Sequence, residues 1–226
     1  AAIAALKMKL PPREDAEKVS VRAVAHDMAD GLKYLRGSRL LWAITMLGMA
    51  LNFIASPVNA LYTPFVTDSL GGGATLLSVT QLVQVGGVAV GALMVPRLEK
   101  IRIRTTATVT GLVFALSGVA MPALLLFPAL VQRAAGLLAI SLLEGLSLGV
   151  LNTLYSSQFM IHTDKAFLAR TTGVTNSLLM LMSPAGTLMC SAAAAFMSVP
   201  ECLFYLSLAC AALFYIVTRM RAFKEL

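Results

Sequence analysis

The stretch AAGLLAISLLEGLSLGVLNTLY, from Ala134 to Tyr155, contains a single charged side chain, Glu144. An apolar helix of about 20 residues is long enough to cross the hydrocarbon core of a bilayer, which is about 30 Å thick. The pattern therefore predicts an all-α membrane protein with six transmembrane helices. We label these predicted spans A to F: Leu40 to Tyr62, Leu76 to Pro96, Thr106 to Phe127, Ala134 to Tyr155, Thr171 to Met197 and Leu203 to Val217.

The composition of the chain agrees with this prediction and argues against a soluble enzyme. Of the 226 residues, 58% are hydrophobic and 13% are charged, whereas soluble domains have about 45–50% and about 25%. The three cysteines lie in apolar segments without metal-binding or CxxC spacing. We therefore expect neither a disulfide nor a metal site, and we expect no cofactor.

The net charge of +7 is distributed asymmetrically around the predicted spans. Lys and Arg residues are concentrated before span A, in the B–C and D–E loops and in the tail, whereas the other loops hold only Arg133. Because cationic loops stay on the cytoplasmic side, both termini are predicted to be cytoplasmic, in a multi-pass protein of the plasma (inner) membrane. Membrane topology thus accounts for the net positive charge, and binding to nucleic acid is not needed to explain it. The cytoplasmic basic loop between spans B and C contains Arg97, Lys100, Arg102 and Arg104.

Three segments are predicted along the chain. Residues 1–38 would contain the end of a preceding helix and a cytoplasmic amphipathic linker, residues 39–127 a first three-helix repeat, and residues 128–226 a second repeat with a cytoplasmic tail. The abrupt apolar start, followed by Pro11 and Pro12, indicates a fragment. An ordinary soluble helix is the alternative for the linker. Its apolar face recurs at steps of three and four, at Val21, Val24, Met28, Leu32 and Leu35.

Polar side chains inside the spans predict which helices line a cavity, because in lipid such groups must face protein or water. Spans A, B, D and E carry them, whereas spans C and F hold little beyond hydroxyls that can bond to their own helix. The predicted lining of a substrate cavity is Asn52, Ser56, Asn59, Gln81, Gln84, Asn152, Asn176, Met180 and Ser183.

The order polar, polar, apolar therefore occurs twice. Since each set contains an odd number of spans, the second repeat must be inverted relative to the first, as in secondary transporters whose substrate sites lie near the midplane. Ordinary helix packing, which also uses Asn, Gln and Ser, is the alternative. We expect helix kinks with a gating role at Pro57, Pro184 and Gly186.

Glu144 is the strongest single candidate for a functional residue. Ten residues at about 1.5 Å each separate it from the outer end of span D, which places it about 15 Å deep. A charge at that depth costs roughly 2.5–3.5 kcal/mol, so a carboxyl there is suited to gaining and losing a proton. The alternatives are binding of a cationic substrate and a permanently protonated, hydrogen-bonded Glu.

The segment Gly145 to Gly149 matches the G-x-S-x-G pattern of hydrolases. That motif needs a strand-to-helix turn with a His and an acid nearby, whereas Ser147 lies inside a predicted helix. The two histidines, His26 and His162, fall in predicted cytoplasmic segments. We therefore expect no enzyme activity.

Four segments resemble the major facilitator superfamily, and specifically the C-terminal half of drug exporters of the macrolide-efflux and siderophore-exporter type. DMADGLKYLRGSRLLW, Asp27 to Trp42, resembles the connector into the seventh helix, and NFIASPVNALYTPFVTDSLGGGA, Asn52 to Ala74, resembles that helix and its outer loop. GALMVPRLEKIRIR, Gly91 to Arg104, resembles the basic loop between helices eight and nine. MSPAGTLM, Met182 to Met189, resembles helix eleven.

This resemblance implies half of a twelve-helix transporter that exports amphipathic, drug-like molecules by alternating access, coupled to inward proton flow. The implied partners are the bilayer, a small-molecule substrate, protons and the missing N-terminal half or a second copy of this chain. A half-size protein that forms homodimers and a scaffold that transports nothing are the alternatives.

Overall fold

A computed structural model describes residues 21–97 and 102–219, and every regular element within them is helical. Short π-helical and 3₁₀ turns, Phe65–Ser69, Val95–Arg97 and Leu124–Leu126, follow the second, third and fourth helices. Helices α2 to α7 overlap predicted spans A to F in that order, with ends that differ by a few residues. The seven α-helices are α1 Val21–Gly37, α2 Arg39–Pro64, α3 Gly73–Met94, α4 Ile103–Ala123, α5 Leu130–Ile161, α6 Leu168–Ala194 and α7 Val199–Arg219.

Within the described residues, five helices are long and apolar enough to cross a membrane, namely α2 to α6. Helix α7 has 21 residues, of which Val199–Ala209 forms an apolar stretch. The longest helix is α5, with 32 residues, and it extends beyond span D at both ends. The chain is therefore a multi-pass membrane protein, while the sixth crossing and the cytoplasmic location of the termini remain predictions.

Local sequence signals explain where several helices begin. The Ser38 hydroxyl accepts a hydrogen bond from the backbone N–H of Leu41 at 3.3 Å, so a serine N-cap separates α2 from α1. Ser198 and Glu201 form a capping pair at the start of α7, where the carboxylate accepts from the Ser198 N–H at 2.8 Å. Between α2 and α3 the chain reverses direction at Gly71, whose φ of 75° favours glycine.

The helices pack in three pairs: α3 against α5, α2 against α6, and α4 against α7. In terms of the predicted spans these pairs are B–D, A–E and C–F. Exchanging the first three spans with the last three converts B–D into E–A and leaves C–F paired with itself. The three pairs thus have the packing symmetry of two equivalent three-helix units.

The α3–α5 pair is the closest because glycines from both helices face each other. A Cβ at Gly145 would collide with the backbone carbonyl of Gln84, and a Cβ at Gly149 would collide with that of Val88. From the other side, Gly87 and Gly91 face the backbone of α5. This is the small-residue spacing that lets two membrane helices approach at backbone distance.

Helix α2 occupies the centre of the bundle, whereas α3 and α6 lie at its edges. In the most apolar part of α2, 44% of the residues are buried, against 17% in α3 and 11% in α6. The exposed large side chains on the two edge helices include Leu82, Val85, Met180 and Leu188. These two helices therefore present broad apolar surfaces to whatever surrounds this chain.

Helix α1 docks against the beginning of α6 instead of lying alone. Leu35 is fully buried in a cluster with Leu41 and Phe159, among others. Met28, on the same predicted face, is exposed, and the side chains of Val21 and Val24 lie outside the described residues.

Polar contacts extend this docking. Arg170 forms an ion pair with Asp27 at 3.1 Å. The Tyr34 hydroxyl lies 3.1 Å from the Asp164 carboxylate, and its ring stacks on Phe167 at 4.7 Å between centroids. The linker segment is thus attached to the helical bundle through both apolar and polar groups.

Candidate functional site

A cavity of about 400 Å³ lies between α2, α3, α4 and α5. It combines one carboxyl group with several amides, a phenol and an apolar wall. Four of the predicted site residues line it: Asn59, Gln81, Gln84 and Glu144. The remaining lining is Ala55, Val58, Tyr62, Val85, Val88, Phe114 and Leu148.

Glu144 projects from the middle of α5 and is 2% exposed. Its Oε2 accepts a hydrogen bond from the Nε2 of Gln84 at 3.2 Å, and the hydroxyl of Ser117 on α4 is a second side-chain partner. Both partners are neutral. Neither compensates a negative charge, so an ionised Glu144 would be hydrogen-bonded but not paired with a cation among the described residues.

A second hydrogen bond crosses the cavity one helical turn away. The hydroxyls of Tyr62 on α2 and Ser141 on α5 are 3.1 Å apart, and Ser141 precedes Glu144 by one turn of α5. The amides of Asn59 and Gln81 make no hydrogen bond to any described residue and face the same cavity. These two amides are therefore available to a ligand.

A smaller cavity of about 230 Å³ adjoins the first and shares Ala55, Phe114 and Leu148 with it. Two further predicted site residues, Asn52 and Asn152, line this space. The Asn52 amide donates to the Gly48 carbonyl of its own helix at 3.0 Å, whereas Asn152 is exposed. The polar lining thus continues along α2 and α5 beyond the main cavity.

Ser56 and Ser183 have a different location, in the contact between α2 and α6. The Ser183 hydroxyl donates to the Ser56 hydroxyl at 2.7 Å, and the Ser56 and Thr187 hydroxyls are 2.8 Å apart. Around this group, Gly186 faces the Phe53 carbonyl and the ring of Pro57. Two of the three predicted kink residues, Pro57 and Gly186, therefore lie beside a hydroxyl cluster that joins two helices.

The remaining predicted residues lie outside both cavities. Asn176 and Met180 are on an exposed side of α6, and Met180 is 74% exposed. Pro184 is also exposed on α6. In the basic loop, Arg97 and Arg102 are exposed and Arg104 is partly buried, while Lys100 lies outside the described residues.

Sequence reasoning did not find three residues of this site: Tyr62, Phe114 and Ser117. Tyr62 follows Asn59 by three residues, so extending the polar stripe by one helical step would have found it. Phe114 and Ser117 belong to α4, which carries too few polar groups to signal a cavity. Thr110 on the same helix donates to the Ser147 carbonyl of α5 at 3.3 Å, which is a contact between helices and not within one.

The cavity does not have the donor set of a metal centre. Among residues 21–97 and 102–219, no group of three His, Cys, Asp or Glu side chains converges. One carboxyl, several neutral amides and an apolar wall form instead the kind of pocket that binds small organic molecules.

A bundle of apolar helices surrounds a partly polar cavity. The class of protein to which this fold and site correspond is a membrane transport protein. A comparison with known families matches residues 1–187 to the Major Facilitator Superfamily. The chain belongs to this superfamily and is a transporter of the major facilitator kind, which confirms the superfamily predicted from the sequence. Neither the curated proteins nor the solved structures contain a match to this chain.

Proposed function

We propose that this chain forms the C-terminal six-helix half of a twelve-helix exporter in the plasma (inner) membrane. The exporter moves amphipathic, drug-like molecules by alternating access, and Glu144 carries the coupled proton. The observation that carries this proposal is the cavity of about 400 Å³, in which the carboxyl group, two unengaged amides and an apolar wall face the same space.

The lining matches the chemistry of an amphipathic substrate. Ala55, Val58, Val88, Phe114 and Leu148 offer apolar and aromatic contact, while the amides of the same cavity offer a few oriented hydrogen bonds. Pockets for small organic molecules combine these two features. A strongly polar substrate would leave most of this wall without a complementary surface.

The surroundings of Glu144 support proton coupling. Burying a carboxylate without a cationic partner is costly. Protonation of Glu144 therefore stabilises the state in which the cavity is closed and dry. When the cavity opens to water, the ionised form is solvated and the proton can leave. Alternation between these two environments is what couples a proton to a conformational cycle, and the Gln84 amide can donate to the carboxyl group in both forms.

The exposed faces of α3 and α6 support the proposal that a second six-helix half packs against this chain. Gln81 and Val85 line the cavity from the exposed side of α3, so this chain leaves one side of the cavity uncovered. A second six-helix unit would cover it together with the apolar surface of α6. The native mass of the polypeptide tests this directly: a value about twice 23.9 kDa is expected, and a value near 23.9 kDa would favour a second copy.

The experiment that tests proton coupling uses Glu144→Gln in the native transporter, reconstituted into vesicles with a macrolide antibiotic as the probe. Gln keeps the shape and hydrogen bonding of Glu but cannot release a proton. We expect transport driven by a pH gradient to fall to background, while exchange of substrate for substrate, which needs no net proton movement, is retained.

Glu201→Gln is the matched control, because Gln also completes the capping pair with Ser198 and this position is exposed at the start of α7. It should transport normally. If Glu144→Gln keeps full transport driven by a pH gradient, Glu144 is not the coupling residue.

A further inference from the structure

A separate apolar groove of about 330 Å³ runs along the outside of the bundle, between α4 and α5. Its wall includes Val109, Val113, Leu143, Leu146 and Val150. No residue of this wall also lines the cavity around Glu144, because the groove lies on a different face of α5. The groove is therefore distinct from the proposed transport site.

Three of the four hydroxyl groups that line the groove are bonded to the protein. Thr106 donates to the Arg102 carbonyl and Thr110 to the Ser147 carbonyl, each at 3.3 Å. The Ser147 hydroxyl donates to the Glu144 carbonyl at 3.0 Å. These three groups do not offer a free donor to an occupant, and the fourth, Thr105, lies at the end of the groove, so the rest of the groove suits a hydrocarbon chain.

The groove spans most of the depth of one membrane leaflet. Along α4 it extends from Thr105 to Val113, which is about 12 Å at about 1.5 Å per residue. Half of a hydrocarbon core of about 30 Å is about 15 Å. An acyl chain that enters from one membrane surface would therefore end near the bilayer centre.

Basic residues stand at one end of the groove. Met94 and Thr105 line that end, and Arg97 follows Met94 by about one turn, while Arg102 and Arg104 precede Thr105. Ion pairs among residues 21–97 and 102–219 involve other side chains, so none of these three guanidinium groups has a described carboxylate partner. The first turn of α4, which lies at the same end of the groove, also lacks a side-chain cap. Its backbone N–H groups therefore have no capping side chain as a partner.

From this arrangement we infer that the groove binds an anionic phospholipid, with one acyl chain against Val109 and Val113 and the phosphate group at Arg97, Arg102 and Arg104. Guanidinium groups pair well with phosphate oxygens, and basic clusters at the membrane surface attract anionic lipids. A zwitterionic lipid would bring its own cation toward the same three charges and would bind less well.

The test measures phosphatidylglycerol bound to the native transporter, by native mass spectrometry during titration in detergent. Each surface arginine contributes about 1 kcal/mol to attraction of anionic lipid, so Arg102→Gln with Arg104→Gln should weaken binding about 30-fold. The matched control, Arg36→Gln with Arg39→Gln, removes the same charge elsewhere and should change it less than threefold. Equal effects of the two double variants would overturn the site.

A substitution that leaves the charge of the protein unchanged tests the groove itself. Val109→Trp fills it, and we expect phosphatidylglycerol binding to weaken about tenfold, the loss that corresponds to about two methylene groups without their contact. Unchanged binding by this variant would reduce the interaction to surface charge and overturn the proposal.

The unmodified protein provides a test that does not depend on folding of any variant. In vesicles of phosphatidylcholine with one fifth phosphatidylglycerol, the latter carrying a photoreactive group within its acyl chain, irradiation should label peptides that contain residues 105–113 and 143–150. The same group on phosphatidylcholine should label these peptides several-fold less. Labelling spread evenly over the lipid-exposed helices, or equal labelling by the two lipids, would overturn the proposal.

Discussion

The α3–α5 and α2–α6 contacts are equivalent under exchange of the first three membrane helices with the last three, yet they use different chemistry. In α3–α5, four glycines bring backbone against backbone, and a single added methyl group at Gly145 or Gly149 would meet a carbonyl oxygen. In α2–α6, one such glycine, Gly186, is accompanied by hydroxyl groups that bond across the contact.

This difference indicates which contact can move. A glycine contact depends on close packing along its whole length, so sliding creates collisions and voids. Hydroxyl groups can exchange partners, since each donates one bond and accepts others, and the prolines of α2 and α6 leave backbone groups free to rearrange. We therefore expect α3–α5 to behave as a rigid pair and α2–α6 as the adjustable one.

The largest effect is expected at Gly149→Ala. The new Cβ meets the backbone carbonyl of Val88, which no side-chain movement relieves, and overpacking of this kind costs about 1–3 kcal/mol. The measurement is the midpoint of thermal unfolding of the native transporter in detergent. Gly86→Ala on α3 is the control, because its Cβ would have no neighbour within 4 Å and Ala favours the helix. Equal losses in the two variants would contradict the rigid contact.

A smaller effect is expected from the hydroxyl cluster. Ser56→Ala and Ser183→Ala should each cost about 0.5–1.5 kcal/mol, and the double variant should lose less than the sum of the two, because both remove the same bond. Thermal unfolding of the four proteins of the cycle measures this coupling. Ser177→Ala, whose hydroxyl bonds to its own helix at Gly173, is the control, and strict additivity of Ser56 and Ser183 would show that the bond between them contributes nothing.

The smallest effect is expected where α6 contacts α1. Asp27→Asn removes an ion pair with Arg170 in which both side chains are about half exposed, and such pairs contribute about 0–1 kcal/mol. The loss should shrink further between low and high salt, in the same unfolding measurement. A loss above about 2 kcal/mol that does not respond to salt would mean that the docking of α1, and not the hydroxyl cluster, holds α6 in place.

The spans were predictable because a membrane helix is specified by its own composition. The ends of α5 were not, since its last turns contain Ser156, Ser157 and Gln158 and continue as helix through backbone hydrogen bonds beyond the apolar stretch.

The cavity was predictable only in part. Periodicity shows that Ser56 and Asn59 lie on one side of α2, but it does not reveal which neighbour each will meet. Asn59 faces the cavity, whereas Ser56 bonds across to α6. Phe114 carries no polar signal, and its place in both cavities results from how α4 packs on α5.

The docking of α1 has a consequence for the order of events during synthesis. Tyr34 and its partner Asp164 are 130 residues apart in the chain, and ribosomes add about 5–20 residues per second. Helix α1 therefore emerges on the order of ten seconds before the segment that will receive it. During that interval the side of α1 that carries Leu35, fully buried at the end of folding, has no α6 to pack against, and the surface of the membrane is the nearest apolar shelter for an amphipathic helix.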